Sequence, residues 1–249
     1  MLATSGALIA DPWLSELLQR PAFRLADGLD AGLDARLTQA PLFVTAKPEA
    51  VHVETIGRLE ATGFRVVDAA LRFGTVALRC DARMQGSVVR FAGPHDREGV
   101  VALAGRAFRF SRFHLDPVLP NPIADRIKAS WAGNFFNGAR GDGMVVAEDA
   151  GCVVGFLQLL WSANAELVID LIAVAPEMGR RGIASAMIDF AWRNGTGSGT
   201  RPSAMRVGTQ AANIASCRLY EGLGFRLCGA AVVLHHHGSG GPYPSRSAA

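Results

Sequence analysis

The chain has 249 residues, 49% of them hydrophobic, and sets 25 Lys and Arg against 22 Asp and Glu for a formal net charge of +3. That apolar fraction is ample for the core of one large or two small domains, and so balanced a charge argues against nucleic acid as a partner. Four widely spaced cysteines, Cys80, Cys152, Cys217 and Cys228, show no Cys-x-x-Cys pair and no His at ligand spacing, so they read as buried free thiols.

The start, MLATSGALIADPWLSELL, has no basic leader and meets Asp11-Pro12 before an apolar run of signal length is complete. No stretch of about 20 apolar residues follows, so a cytoplasmic chain with no membrane partner is expected. Residues 42–45 read as a strand, 48–61 as a helix with Val51, Thr55 and Leu59 along one side, and 64–73 as another strand. Gln85-Gly86-Ser87 marks a boundary before a new strand at 88–91. Asp96 starts a helix through 108 that turns Val100, Leu103 and Ala104 inward.

Next comes RAFRFSRFHLDP, carrying Arg106, Arg109, Arg112 and His114. Guanidinium forks suit phosphate oxygens, and aromatic faces suit a nucleobase or the apolar face of a deoxysugar, which makes Arg109, Arg112 and His114 candidates for holding an anionic acceptor. A solvated helix face with acidic partners is the competing reading of the same arginines. A second helix, about 123–136, carries Ile123, Ile127, Trp131 and Phe135 at a spacing that suits a core better than base stacking. Strands at 144–148 and 152–161 flank Asp149-Ala150-Gly151 in a hairpin position.

An apolar strand then runs to Val174, Pro176 breaks it, and Gly179, Arg180, Arg181 and Gly182 open directly into an amphipathic helix beginning Ile183-Ala184. The first N–H groups of a helix have no internal partner and carry the positive end of its dipole, so this loop is built to hold a diphosphate by main chain. Gly182 and Ala184 keep side chains out of the ligand's way. Farther on stand Asn213-Ile214-Ala215-Ser216 and Leu219-Tyr220-Glu221-Gly222-Leu223-Gly224-Phe225.

The run Gly179-Arg180-Arg181-Gly182-Ile183-Ala184 resembles the acetyl-CoA-binding motif of the GCN5-related N-acetyltransferase (GNAT) family, Gln/Arg-x-x-Gly-x-Gly/Ala, with Gly179 where Gln or Arg is usual. The Asn213 and Tyr220 segment is similar to the family's closing helix and turn. The resemblance implies a fold of the α/β (α+β) class, the GNAT acyl-CoA N-acyltransferase fold with a mixed central sheet, ordered β, α, α, β, β, β, α, β, α, β over 86–234. It implies acetyl-CoA as acetyl donor, lying in a splay between the strand ending near Val174 and a strand at 205–209. Ile172, Val174, Gly179, Arg180, Arg181, Gly182, Ile183, Ala184 and Asn213 would hold it, and Tyr220 would protonate the leaving thiolate as general acid. No metal is expected. Glu166, Asp170 and His114 are candidates for taking the proton from the amine.

An internal echo, residues 59–66 against 220–227, pairs two helix ends that each run through a glycine turn into a strand. It implies a degenerate half-GNAT domain at 1–84 before the catalytic domain at 85–235, with 236–249 a disordered tail. In the first copy Leu59 stands where the second has Tyr220, and there is no phosphate loop. Its expected role is to complete the sheet or shape the acceptor pocket, and plain packing is the alternative. The runs AF-x-x-SRFH-x-DP, ADRIKASWAGN and VGTQAANIASCRLYE are similar to family members that acetylate a TDP-linked 4-amino-4,6-dideoxysugar, implying a nucleotide-sugar acceptor. A protein or peptide Nα-acetyltransferase and a silent acyl-CoA-binding module compete with it; Gly179 favours the silent module, and Asn213 and Tyr220 oppose it. The oligomeric state is open, a homodimer included.

Overall fold

Alternating burial defines the strands around which the molecule is built. The computed structural model describes residues 8–26, 37, 41–80, 87–197 and 200–239, and joins ten strands in one sheet. In chain order the described elements are β1 (Leu8–Ala10), α1 (Pro12–Leu18), β2 (Ala22–Leu25), β3 (Phe43–Ala46), α2 (Val53–Ala61), β4 (Arg65–Thr75) and β5 (Val88–Phe91). Then follow α3 (Arg97–Ala107), α4 (Asn121–Phe136), β6 (Gly143–Asp149), β7 (Cys152–Trp161), β8 (Glu166–Val174), α5 (Ile183–Asn194), β9 (Ala204–Gln210), α6 (Ile214–Gly222) and β10 (Arg226–His237). The sheet order is β1-β2-β3-β10-β4-β9-β8-β7-β6-β5. Neighbours are antiparallel except β2 with β3 and β8 with β9, so the sheet is mixed, as expected.

The expected helix at 48–61 is shorter. Glu49 instead bridges to Ala231 of β10 and its carboxylate takes both Arg72 guanidinium nitrogens, at 2.6 and 2.7 Å, while Val51 is exposed. The echo is geometric as well as sequential. Phe64 N–H donates to the Leu59 carbonyl (3.1 Å) and Phe225 N–H to that of Tyr220 (2.9 Å), each across a left-handed glycine, Gly63 at φ +92° and Gly224 at φ +88°. The strands that leave these turns, β4 and β10, then pair with each other. The boundary expected at 84/85 falls in 81–86, outside the described residues, and the sheet runs across it because β10 lies between β3 and β4.

Three apolar clusters hold the layers together. The largest joins α3 and α5 to β6–β9 and includes Tyr220 and Phe225. A second ties Leu14 and Leu18 of α1 and Phe43 of β3 to Phe113, Ile123 and Ile127. Trp13 Nε1 donating to Ser130 Oγ at 3.1 Å and Arg126 donating to the Leu17 carbonyl at 2.8 Å add polar ties between α1 and α4. The third packs Leu59 and Phe64 against Val44 and Leu234.

Two expectations are corrected. His236 and His237, expected in the tail, continue β10 from His235 to its end; 240–249 lie outside the described residues. His235 is fully buried, edge-on to Phe43 at 4.7 Å, and Asp116 Oδ2 accepts from His235 Nδ1 at 2.6 Å and from His237 Nε2 at 2.8 Å. Pairing with β3 gives these imidazoles the fixed geometry that a glycine-rich flank does not suggest. The cysteines, expected to be buried, are not: Cys152 and Cys228 are exposed, and Cys80 and Cys217 are half-buried.

Candidate active site

Strands β8 and β9 pair only from Glu166↔Ala204 to Ile169↔Val207. Beyond that point β9 stays bonded to β4 through Gln210, and β8 stays bonded to β7 through Val174, so the two diverge. Ala175 N–H donates back to Val154 at 2.8 Å. Because N–H directions alternate along a strand, those of Ile172 and Val174 turn the other way, into the gap. The splay thus presents two main-chain donors where a β-ladder would have consumed them.

Directly after β8, Pro176–Met178 form a single 3₁₀ turn, and the chain reaches Gly182 through Arg180 at φ +63°. Gly182 caps α5 at φ +78°, a left-handed conformation that glycine adopts without a steric penalty. Gly182 offers no capping side chain, so the N–H groups of Ile183, Ala184 and Ser185 are left to a ligand or water. Arg180 and Arg181 are exposed beside them. An anion site of this kind was the expectation for 179–184; of its residues only Ala184 reaches the cavity wall, the loop itself lying at the edge of the gap.

Asn213 is the N-cap of α6, its Oδ1 accepting from Ser216 N–H at 3.2 Å, and it also lines the cavity. Its capping role alone accounts for its residue type. In the last turn of α6, Tyr220 is 2% exposed, its ring packed on Phe225 (5.6 Å) and Phe73 (6.0 Å), and it too lines the cavity. Burial pushes the phenol's pKa up, so it stays protonated and able to donate.

The cavity itself measures about 750 Å³ and spans the gap, α4 and the loop after α3. Its wall carries five cations, Lys47, Arg109, Arg112, Lys128 and Arg140, against two carboxylates, Asp68 and Asp170. Arg112 donates to Thr45 Oγ1 at 2.7 Å and lies 4.6 Å over Phe113, while Arg109 donates to the Phe108 carbonyl at 2.9 Å. Arg106 points elsewhere, into an exposed pair with Glu177. His114 is a correction. It is absent from the wall, and its ring bridges Ser111 Oγ (2.6 Å) and Asp125 Oδ1 (3.0 Å), so it fixes the loop rather than meeting a ligand.

The family model described as Acetyltransferase (GNAT) family matches residues 110–225, the segment that holds the splay, the α5 start and Tyr220. Through this segment, just under half of the chain, the protein is similar to the GNAT acetyltransferase family. The Bacillus subtilis spore coat polysaccharide biosynthesis protein SpsD is 35% identical over 132 residues. That match covers 53% of this chain and 44% of the relative, so the chain spans less than half the length of the curated protein it matches. Among solved structures, a GCN5-related N-acetyltransferase from Sphaerobacter thermophilus aligns with TM-score 0.57 at 17% identity, over 80% of this chain and 61% of that one. Another from Kribbella flavida aligns with TM-score 0.59 at 15% identity, over 88% and 82%. At these identities the likeness concerns the fold.

Within the GNAT frame, the candidates for proton transfer rearrange. Glu166 is paired with Arg206 at 2.5 and 2.7 Å and lies off the cavity. Asp170 faces it but accepts from Arg140 (2.6 and 2.7 Å), Trp131 Nε1 (2.9 Å) and Gln158 (3.2 Å), three of these bonds ending on Oδ2, which ties the carboxylate to these donors. Asp68, on β4, is the carboxylate that sequence reasoning passed over. It is 6% exposed, lines the cavity, and its Oδ2 is buried without a hydrogen-bond partner. Burial pushes its pKa up to about 6 against the opposing pull of the Ala69 N–H and Lys47. The readable signal was an acid inside the apolar strand Val66-Val67-Asp68-Ala69-Ala70. Lys128 was legible in the same way, as a lysine in the apolar stripe of α4 between Ile127 and Trp131.

Proposed function

We propose that this chain is an N-acetyltransferase that moves acetyl from acetyl-CoA to the 4-amino group of a nucleotide-linked (TDP) amino-deoxysugar. The observation that carries this reading is one cavity that joins the β8/β9 gap and Tyr220 to a wall of five cations and two carboxylates. A cavity so charged suits an anionic acceptor, and Phe108, Phe113 and Trp131 offer faces for a base or a deoxysugar. The SpsD relative, named for spore coat polysaccharide biosynthesis, supports a sugar-related acceptor.

In this reading the coenzyme's diphosphate sits on the N–H groups that open α5, between Gly182 and Ser185, with Arg180 and Arg181 beside it. The thioester lies in the gap. The amine nitrogen attacks the thioester carbon, and the oxyanion that forms is met by the N–H of Ile172 or Val174. A sugar amine flanked by oxygens resembles an α-amino group, with a pKa of about 8, so at neutral pH a proton must first be removed. Asp68 accepts it. As the oxyanion collapses and the C–S bond breaks, the thiolate takes the phenolic proton of Tyr220, and the second proton, shed by the nitrogen as the amide forms, returns to the phenolate through solvent.

The test is CoA release from acetyl-CoA with a TDP-4-amino-4,6-dideoxyhexose, with a mixed peptide pool, and with no acceptor. Turnover on the nucleotide sugar alone is expected. Turnover confined to peptide moves the chain to protein acetylation, and binding of acetyl-CoA with no turnover on either removes the sugar assignment.

A further inference from the structure

Lys128 is 8% exposed and lines the cavity, with Nζ 4.6 Å from the Trp131 ring centroid and 4.8 Å from that of Phe108. An ammonium carries three donors, and a buried one is expected to be met by a carboxylate or by carbonyls. None among the described residues meets it. Asp170, the carboxylate whose field reaches it, is already taken by Arg140, Trp131 and Gln158. Its other charged neighbours, Arg112 before α4 and Arg140 after it, are cations. A lysine held this way is an anion site awaiting its anion: aromatic faces orient the ammonium, and the open side of the charge faces the cavity.

We propose that Lys128 is the anchor for a diphosphate oxygen of the acceptor, and that it takes up a proton when the acceptor binds. This rests on the nucleotide-sugar reading above. The proton uptake follows from burial, which pushes the free lysine's pKa down to about 7, with Arg112 adding to the effect. A bound phosphate reverses that balance, because an opposite charge favours the ammonium. At pH 8 the free side chain is mostly neutral and binding draws a proton from solvent; at pH 6 it is already charged and binding draws little. Arginine at this position keeps its charge at every working pH.

The experiment is calorimetric titration of TDP into protein saturated with CoA, which blocks the coenzyme's own phosphate site, in two buffers of different ionisation enthalpy at pH 6 and pH 8. Wild type is expected to show proton uptake at pH 8 and little at pH 6. Lys128→Met is expected to lose about tenfold or more in TDP affinity, and Lys128→Arg to bind with no proton uptake. Thermal unfolding of Lys128→Met at least as high as wild type at pH 6 shows that the loss is not misfolding, since the apolar residue relieves a buried charge. Equal TDP affinity in Lys128→Met and wild type overturns the anchor while leaving the nucleotide reading in place. Inorganic diphosphate that binds through Lys128 where TDP does not bind keeps the anchor and overturns the nucleotide. Wild type that binds neither overturns the anchor, and TDP binding without proton uptake at pH 8 overturns the coupling.

Discussion

Tyr220 and Asp68 approach the cavity from the two halves of the echo, the tyrosine from α6 and the aspartate from β4. Their environments push both pKa values upward, by burial in each case, which leaves the phenol a donor and brings the carboxyl into the range of a working base. Tyr220→Phe is expected to lower kcat by roughly 10²-fold or more with acetyl-CoA affinity unchanged, read by steady-state kinetics beside calorimetry. Unchanged turnover removes the acid assignment. Asp68 must be ionised to accept a proton, so kcat/KM should rise with pH through about 6 and fall as the carboxyl is protonated below it. In Asp68→Asn that limb of the pH profile should disappear and the plateau drop. A profile with the same limb in the variant assigns it to another group.

At the scale of elements, the parts of the site that sequence shows are the contiguous ones. The turn from β8 into α5 is a run of adjacent residues whose φ values and free N–H groups follow from glycine placement and from how helices begin. The α6 cap and the glycine turn after Tyr220 are local for the same reason. What is not local is hidden: β8 and β9 separate after Ile169 because each is held by a different neighbour, and no pattern within either strand announces it. Gly182→Val places a β-branched residue at φ +78°, which is expected to cost about 1–3 kcal/mol and to weaken CoA binding by roughly tenfold or more. Space is not the obstacle, since a Cβ there meets no atom within 4 Å; the strain is conformational. Equal CoA affinity in the variant and in wild type would remove α5 as the diphosphate seat.

Across the whole molecule, β10 is the strand on which the two halves depend, lying between β3 and β4 and carrying His235 into the core beside Asp116. This hydrogen bond joins residues 119 apart in sequence, so the histidines look like a tail until strand order puts β10 inside the sheet. Burial would raise the Asp116 carboxyl, but the donors from His235 and His237 outweigh it and hold it well below the carboxylate range. Burial outweighs the same carboxylate at His235 and pushes that imidazole down to about 4. Both groups are depressed in the folded state, so both contribute stability at neutral pH. The His235 part is lost as pH falls from about 6.5 towards about 4, and the Asp116 part at lower pH still. Thermal unfolding should therefore soften steadily between pH 7 and pH 4, and Asp116→Asn should cost about 1–3 kcal/mol at pH 7. An unfolding temperature indifferent to pH across that range contradicts the assignment.

On the proposed function, one cavity brings a CoA thioester and an anionic sugar amine together. The measurement that meets it most directly is single-turnover product analysis by mass spectrometry, with stoichiometric acetyl-CoA and a TDP-4-amino-4,6-dideoxyhexose. The predicted result is the nucleotide sugar heavier by one acetyl group, in equal amount to free CoA and formed far more slowly in Tyr220→Phe. Free CoA with the sugar unchanged, or acetyl found on protein instead, contradicts it.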